Sequence, residues 1–570
     1  MTTTPKSGLR KGLTSYGDPG FSLFLRRVFI KAMGYSDDAL DRPIIGIINT
    51  YSDFNPCHGN VPELVEAVKR GVMLAGGMPM AFPTISVHES FAYPTSMFLR
   101  NLMALDTEEM IRAQPMDAVV VIGGCDKTIP AQLMGAASAN IPAIVVPTGP
   151  MLVGHYQGEV LGACTDCRRL WAQFRAGART EAEMDEISGR LAPTKGTCMV
   201  MGTASTIACM VEALGMSLPG AATIPATHAD RIRLAEASGA AAIQLAKNGL
   251  TPDKIMTKAA FRNALTVLQA IGGSTNGLVH FTAIAGRLGI EIDMDDFDRL
   301  GLDVPVLVDL KPSGQHYMEH FHWAGGVPRL LRELGELIDG TQITVSGGTL
   351  ADSAAAADMV KGQEVIRPRS NPIHQGGGLA VLHGNLAPRT AIIKRSAASA
   401  ALLQHEGRAV VFDSLIDMDN RIDSDDLDVQ ADDVLVLRNA GPKGAPGMPE
   451  AGYIPIPRKL ARQGVKDMVR ISDARMSGTA FGSIVLHITP EAAVGGPLAL
   501  VRNGDRIRLD VEGRRIDLLV SDEELATRAA AWTPPDEPEG AERGYLRLFL
   551  DQVTQADQGC DFAFCIPKVK

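Results

Sequence analysis

The sequence has few cysteines, no long apolar run and no excess of basic residues, and each shortage excludes a class of protein. Eight cysteines in 570 residues are too few for the disulfide framework of a small secreted protein. No run of about 18 apolar residues predicts a membrane span, and the N-terminal segment MTTTPKSGLRKGL lacks the apolar region of a signal peptide. We therefore expect a cytoplasmic protein, in which cysteines near polar groups bind metals or act in catalysis.

The charge balance is acidic. The chain has 55 basic and 65 acidic residues, a formal net charge of −10. A nucleic-acid-binding protein would need a basic face, so nucleic acid is not a predicted partner. An anionic substrate must be attracted by local cations, metal ions or helix N-termini, because the overall field repels it.

A short polar loop at residues 123–128 separates two apolar runs. Residues 118–122 predict a buried strand, residues 130–137 a helix and residues 141–146 the next strand. This order predicts a βαβ unit whose loop lies at the carboxyl end of a strand, where open α/β sheets bind ligands.

That loop carries three different chemical groups side by side. Cys125 offers a soft ligand, Asp126 a hard ligand and Lys127 a titratable amine. Thiolates suit Fe–S clusters, zinc or copper, and carboxylates suit magnesium, calcium or manganese. The alternative is a buried cysteine beside a surface ion pair.

Two further loops follow predicted strands in the same way. The predicted strand at residues 43–50 leads to Cys57, and the predicted strand at residues 80–86 leads to His88 and Glu89. The loops around Cys57 and Cys125 thus occupy equivalent positions, each between the end of a predicted strand and the start of a predicted helix.

The pattern changes between residues 345 and 375. Beyond it, short strand-like segments dominate, at residues 379–382, 409–413, 434–438, 469–471, 483–488, 498–501, 506–511 and 515–520. Asn503-Gly504 and Glu512-Gly513 are typical of hairpin turns. We therefore predict an α/β fold with an N-terminal domain of parallel βαβ units at residues 1–365. A C-terminal, mostly β, barrel-like domain follows at residues 366–570.

Three cysteines in loops or at a helix start, Cys57, Cys125 and Cys198, could converge on one metal centre. Fe–S clusters usually take four cysteines, so three would leave a position on iron or zinc open for substrate. The spacing is weak evidence, since no CxxC pair occurs among them. The single CxxC pair, Cys164 and Cys167, is interpreted as ordinary packing rather than a metal site.

Glu89, Asp126 and Glu450 stand in polar loops and are candidate ligands of a hard metal, or else surface carboxylates. Ser477, after a predicted strand, has the setting of an exposed nucleophile or base on a turn, or of a serine that caps the turn.

Several motifs together resemble those of the dihydroxy-acid, phosphogluconate and sugar-acid dehydratase family, from Gly12 to about Val520. They are, in order, Asn55-Pro56-Cys57, Gly124-Cys125-Asp126-Lys127-Thr128, Gly196-Thr197-Cys198, Gly202-Thr203-Ala204-Ser205-Thr206, Gly272-Gly273-Ser274-Thr275-Asn276, Pro446-Gly447-Met448-Pro449-Glu450 and Ser477-Gly478.

The resemblance implies two metal cofactors and a homodimer or homotetramer. It implies that Cys57, Cys125 and Cys198 bind a [2Fe–2S] cluster. It also implies a Mg²⁺ ion whose ligands are Glu89, Asp126, a carbamylated Lys127 and Glu450. Finally, it implies that Ser477 is the catalytic base, as an alkoxide, and that Thr479 helps to hold substrate.

The expected reaction is that of a hydro-lyase, which dehydrates a 2,3-dihydroxy carboxylate to a 2-keto-3-deoxy acid. The segments at residues 49–57, 198–204 and 472–480 resemble the sugar-acid branch. Residues 86–94 differ from the corresponding sequence of the best-known pentonate dehydratases. The alternative substrate is the branched-chain dihydroxy acid of amino-acid biosynthesis. A remoter alternative is a non-catalytic metal-binding regulator.

Overall fold

The computed structural model describes residues 7–13 and 16–567 of the chain. Within this part the strands, numbered in chain order, are β1 Ile44–Asn49, β2 Met78–Pro83, β3 Ala118–Gly123, β4 Ala143–Pro147, β5 Gly154–Tyr156, β6 Glu159–Leu161, β7 Ala380–Leu382, β8 Thr390–Ile393, β9 Gln404–Phe412, β10 Val434–Leu437, β11 Arg470–Ser472, β12 Ile484–Thr489, β13 Arg506–Asp510 and β14 Arg515–Leu518.

The α-helices of the same residues are α1 Pro19–Ala32, α2 Val61–Leu74, α3 Ser96–Ala113, α4 Thr128–Ala139, α5 Thr165–Arg175, α6 Glu181–Leu191, α7 Thr203–Ala213, α8 Ala229–Asn248, α9 Pro252–Ile255, α10 Lys258–Ala270, α11 Thr275–Gly286, α12 Met294–Asp303, α13 Met318–Trp323, α14 Gly326–Leu334, α15 Leu350–Ala355, α16 Leu415–Arg421, α17 Arg458–Arg462, α18 Asp522–Ala531 and α19 Gly544–Gln552. Across the described chain, no helix combines the length and the apolarity that crossing a bilayer requires.

The N-terminal sheet is parallel, with the strand order β2-β1-β3-β4. The aliphatic residues of β1 and β3 are buried, as expected for a parallel sheet covered by helices. In the helical layers, α2 packs against α8 and α3 against α4. The predicted βαβ unit is confirmed as β3, α4 and β4.

The C-terminal sheet has eight strands in the order β14-β13-β9-β10-β11-β12-β8-β7. Its two edges meet, because the His383 N–H donates to the Arg514 carbonyl (3.0 Å) and the Ile516 N–H donates to the His383 carbonyl (2.8 Å). The sheet is thus nearly closed, and the predicted α/β fold with a barrel-like C-terminal sheet is confirmed.

Local predictions in the C-terminal region were partly wrong. Residues 498–501 were predicted as a strand, but Pro497–Leu500 form a 3₁₀-helix. Pro497 occupies the first turn, where a helix tolerates proline. The Glu512-Gly513 turn does join β13 to β14, whereas Asn503-Gly504 joins the 3₁₀-helix region to β13. Strand β8 was not predicted.

The division at residues 365 and 366 stays a prediction. The largest apolar core takes in residues from both sides of it, including Ile366, Val381 and Ile392. Ala380 and Ile393, which are next to Val381 and Ile392 in the sequence, belong to the core inside the C-terminal sheet. Strands β7 and β8 therefore contact both cores, one with each face.

Candidate active site

Three loops from adjacent strands meet at the carboxyl edge of the N-terminal sheet. Strand β2 leads to Glu89, β1 leads to Cys57, and β3 leads to Cys125, Asp126 and Lys127. Because β2, β1 and β3 are neighbours in the sheet, their loops share the edge at which ligands bind in such folds.

His58 holds two of these loops together, and sequence reasoning missed it. Its Nδ1–H donates to the Thr50 carbonyl (2.8 Å), while its Nε2 accepts from the backbone N–H groups of Gly124 (3.0 Å) and Cys125 (3.1 Å). Burial lowers the pKa of His58 to about 4, so the neutral ring can accept both bonds. The available signal was its position directly after Cys57.

Gly124 allows the loops to approach closely. A side-chain carbon at this position would collide with the Thr148 hydroxyl and would lie 3.0 Å from the Cys57 carbonyl oxygen. Any larger residue would push the β3 loop away from its neighbours.

Lys127 is a fully buried ammonium group among carboxylates. Its Nζ pairs with Asp126 and lies 3.5 Å from Glu89 Oε2 and 3.8 Å from Glu450 Oε1. Burial and the charge of Arg475 lower the pKa of Lys127, but the three carboxylates outweigh them and the net shift is upward. Hard oxygen donors thus surround one buried cation.

Arg475 connects the C-terminal region to this cluster and was also missed as a site residue. Its Nη1 pairs with Glu450, and its Nη2 donates to Thr95 Oγ1 (2.7 Å) and lies 3.2 Å from Glu89 Oε2. Burial lowers the pKa of Arg475, but the charges of Glu89 and Glu450 raise it overall, so the guanidinium stays charged.

The pKa values of Glu89 and Glu450 are shifted in opposite directions by these surroundings. Burial raises the pKa of Glu89, but Arg475, Lys127 and two hydroxyl donors bring it well below its ordinary value. At Glu450 burial outweighs Arg475 and Lys127, and the pKa is raised. Another cation near Glu450 would therefore favour its charged form.

The loop cysteines lie near one another. The Cys125 thiol, burial and, more weakly, Cys198 raise the pKa of the Cys57 thiol. The Sγ of Cys198 lies 3.4 Å from that of Cys164, and the neighbouring thiols of Cys167 and Cys198 lower the pKa of Cys164. The structure thus brings Cys164 and Cys167 beside Cys198, a proximity that the sequence did not predict.

Ser477 and Thr479 lie on a segment held against the N-terminal helices. Their hydroxyl oxygens are 2.8 Å apart. The Asn276 side chain donates to the Met476 carbonyl (2.9 Å), and the Thr165 hydroxyl donates to the Thr479 carbonyl (3.0 Å).

Gly478 allows the segment of Ser477 and Thr479 to pack closely against the N-terminal helices. A side-chain carbon there would lie 2.6 Å from the backbone nitrogen of Thr203 and 2.7 Å from the side chain of Ser274. Thr203 begins α7 and Ser274 caps α11, so Ser477 is fixed where two helix N-termini meet.

Within residues 7–13 and 16–567, no three His, Cys, Asp or Glu side chains are arranged as a ready-made metal site. The carboxylates instead pair with Lys127 and Arg475, and the Sγ atoms of Cys164 and Cys198 lie 3.4 Å apart. The roles predicted for these residues therefore stay predictions.

Two family models match the chain. The dihydroxy-acid/6-phosphogluconate dehydratase N-terminal model covers residues 42–353, and the corresponding C-terminal model covers residues 364–560.

Curated relatives match over nearly the full chain. An L-arabinonate dehydratase of Rhizobium leguminosarum bv. trifolii is 49% identical, over 96% of this chain and 95% of its own length. A 6-deoxy-6-sulfo-D-gluconate dehydratase of Pseudomonas putida is 44% identical, over 93% and 91%. A dihydroxy-acid dehydratase of Moorella thermoacetica is 41% identical, over 94% and 97%.

Proposed function

Because this chain belongs to the dihydroxy-acid/6-phosphogluconate dehydratase family, we propose that it removes water from a 2,3-dihydroxy sugar acid and releases a 2-keto-3-deoxy acid. The family makes the chain a hydro-lyase rather than a non-catalytic regulator. The observation that carries the proposal is the meeting of Glu89, Asp126 and Lys127 with Glu450 and Arg475 in one buried cluster.

The acidic cluster suits a magnesium ion. Glu89, Asp126 and Glu450 supply the hard oxygens that Mg²⁺ prefers, and all three surround one buried cation, Lys127 Nζ. A carbamylated Lys127 would replace that positive charge with a fourth anionic oxygen ligand. When bound, Mg²⁺ would stabilise the negative charge that develops on the substrate carboxylate and 2-hydroxyl oxygens.

The thiol cluster suits an iron–sulfur centre. The pKa of the Cys57 thiol is raised by the neighbouring Cys125, by burial and by Cys198, which supports a common centre, and thiols are the soft ligands that iron–sulfur clusters take. We propose that these three cysteines hold a [2Fe–2S] cluster. Bound there, the cluster would supply a Lewis acid for the departing 3-hydroxyl group.

Ser477 and Thr479 supply the proton chemistry. We propose that the Ser477 oxygen removes the hydrogen from C2 and that Thr479, 2.8 Å away, donates a hydrogen bond that stabilises the alkoxide and helps to hold substrate. An ordinary serine hydroxyl is too weakly acidic for this role, so we propose that the two metal centres, when bound, would favour its deprotonated form. Loss of the 3-hydroxyl then gives an enol, which tautomerises to the keto acid.

The relatives support a sugar acid over a branched-chain acid. The L-arabinonate and sulfogluconate dehydratases are 49% and 44% identical to this chain, against 41% for the dihydroxy-acid dehydratase. The physical distinction is that the distal hydroxyls of a sugar acid need polar partners, whereas a branched alkyl group needs an apolar pocket.

The test is a substrate comparison with anaerobically prepared enzyme. Pentonates, hexonates and 2,3-dihydroxyisovalerate are supplied separately, and the 2-keto acid formed is quantified. We expect kcat/KM for at least one sugar acid to exceed that for the branched acid by about 100-fold or more. A preference for 2,3-dihydroxyisovalerate would overturn the sugar-acid assignment.

We further propose that the protein is cytoplasmic and works as a homodimer or homotetramer. Support for assembly comes from α1 and the residue that follows it, because the side chains of Phe24, Phe29 and Met33 are 59%, 66% and 73% exposed. Exposed apolar groups on one helix are typical of a surface that another protein covers.

A further inference from the structure

We propose that Arg168 binds oxygen atoms at the distal end of the substrate, so that it selects acids with a polar chain beyond the two reacting carbons. This inference rests on the proposed function, because it concerns the substrate of the same site. Arg168 lies in the first turn of α5, three residues after Thr165, with which the helix begins.

The start of α5 lies against the segment that carries the proposed base. The Thr165 hydroxyl donates to the Thr479 carbonyl (3.0 Å), and Cys164, the residue before the helix, has its Sγ 3.4 Å from Cys198 Sγ. The Arg168 N–H donates to the Cys164 carbonyl (3.2 Å). Arg168 is therefore only about 5 Å along the helix axis from residues of the site.

The ring of Tyr453 fixes where the Arg168 guanidinium lies. Arg168 Cζ is 4.9 Å from the centre of that ring. Tyr453 ends the 3₁₀-helix that begins at Glu450, and its ring packs against Met476 and Ala480, which lie on either side of the proposed base segment. The ring under Arg168 thus contacts the base segment and follows the proposed magnesium ligand directly.

Arg470 makes this ring a rigid platform. Arg470 Cζ lies 5.2 Å from the centre of the Tyr453 ring, and Arg470 Nη1 donates to the Tyr453 carbonyl (2.8 Å). Arg470 is itself buried and pairs through Nη2 with Asp467 (2.7 Å). Attraction between a guanidinium and an aromatic face orients Arg168 without neutralising its charge.

Arg168 differs from its neighbour Arg169 in having an unpaired donor. Arg169 pairs with Glu159 and, at 2.9 Å, with Asp166. The Nε of Arg168 is buried, and among the residues that the structure describes it has no hydrogen-bond partner. A buried donor without an acceptor destabilises the folded chain, so this arrangement points to an acceptor that a ligand supplies.

The distal end of a sugar acid offers such acceptors. Arginine has five N–H donors and no acceptor, so its ligand must present oxygen atoms. The distal hydroxyl groups of an aldonic acid do so, and so does a terminal phosphate or sulfonate group. A branched alkyl chain would leave the donors unpaired, and a site built for hydrogen bonds discriminates strongly against such a substrate.

Kinetics of matched single variants test this role. Wild type, Arg168→Met and the control Arg169→Met are assayed for keto-acid formation with a pentonate, a hexonate and 6-phosphogluconate. Glycerate, which has the carboxylate and both reacting hydroxyl groups but no distal oxygen, is measured as a competing ligand. The phosphorylated acid separates a distal anion from distal hydroxyl groups.

We expect Arg168→Met to raise KM for the preferred sugar acid by about tenfold or more, because hydrogen bonds from a charged group are lost. The value of kcat should change by less than about threefold, since the reacting end is held elsewhere. Arg169→Met should match wild type, the inhibition constant of glycerate should be the same in all three proteins, and Arg168→Lys should restore part of the loss. A larger loss with the phosphorylated acid than with the hexonate would assign an anionic end group.

Two results would overturn the inference and leave the proposed function standing. One is an unchanged KM in Arg168→Met, which would exclude a contact with substrate. The other is an equal weakening of sugar acid and glycerate, which would show that Arg168 only supports the structure. A wild type that converts none of these acids would overturn the proposed function as well.

Discussion

At the scale of single residues, Arg475 is the cation that the acidic cluster depends on when no metal is bound. It is buried and contacts Glu89 and Glu450, which come from the N-terminal and C-terminal halves of the chain. Lys127 is the second cation of the cluster. If the guanidinium is removed, Lys127 is the one cation described beside Glu89, Asp126 and Glu450.

Replacing Arg475 by methionine should destabilise the metal-free protein by about 3 kcal/mol, because breaking a buried ion pair leaves its partner charges uncompensated. Urea unfolding of wild type and variant gives the difference. Mg²⁺ should restore stability more to the variant than to wild type if the carboxylates bind it. An unfolding free energy unchanged from wild type would show that Arg475 does not stabilise the cluster.

The loop residues of the site could be predicted from the sequence, but the residues that hold them could not. Cys57, Cys125 and Glu89 stand after apolar runs, and in the structure each of them follows a strand. The contact of Arg475 with Glu89 joins residues far apart in the chain, and no local pattern encodes such a pairing. The same holds for Cys164 and Cys198, which share no short spacing motif.

At the scale of elements, a pair of buried carboxylates shapes the loop that carries Glu450. Asp473 accepts from the backbone N–H groups of Ala440 (3.0 Å) and Ala492 (2.9 Å). Glu491 accepts from the N–H groups of Lys443 and Gly444. These bonds fix both the start of the loop and the strand end that leads to it.

Asp473 should make stability depend on pH. Burial, together with the charge of Glu491, raises the pKa of Asp473 to about 7, above its value in the unfolded chain. The contribution of protonated Asp473 to the free energy of unfolding is therefore fully present at low pH. It is lost as pH rises toward 7, by about 3 kcal/mol between pH 5 and pH 8.

Asp473→Asn isolates this effect, because the amide cannot ionise. As pH rises from 5 to 8, the free energy of unfolding of wild type should fall relative to that of the variant. Urea unfolding at several pH values measures this difference. A difference that is constant with pH would contradict the raised pKa.

Element boundaries show why sequence patterns were less reliable in the C-terminal region. Leu498 and Val501 are buried, so apolarity alone predicted a strand, but Pro497 favours the start of a helix. Strand β8 was missed because its apolar run, Ala391-Ile392-Ile393, is short and leads directly to Lys394 and Arg395; Gly384, Asn385 and Pro388 before it were the available turn signals.

At the scale of the whole molecule, the site depends on both halves of the chain. Lys127 and Glu89 follow strands of the N-terminal sheet, whereas Glu450, Arg475 and Ser477 lie among the strands of the C-terminal sheet. Assembly of the subunit is a separate question, and the exposed apolar side chains of α1 provide the means to test it.

The proposed oligomer should involve α1. Light scattering after size-exclusion chromatography should give a mass of two or four chains, about 120 or 240 kDa from the 60.6 kDa chain. Replacing both Phe24 and Phe29 by aspartate should lower that mass without unfolding the subunit, because both side chains are exposed. Ser424→Asp and Ser521→Asp together add the same charge elsewhere and serve as the control. A monomeric wild type would contradict the proposal.

The central claim is that an activated serine hydroxyl removes the C2 hydrogen of a sugar acid held between two metal centres. Ser477→Ala tests it most directly, with keto-acid formation and bound iron and magnesium measured on the same samples. We expect turnover to fall by at least about 100-fold while metal content stays at the wild-type level. Turnover close to wild type in a fully loaded Ser477→Ala protein would contradict the account.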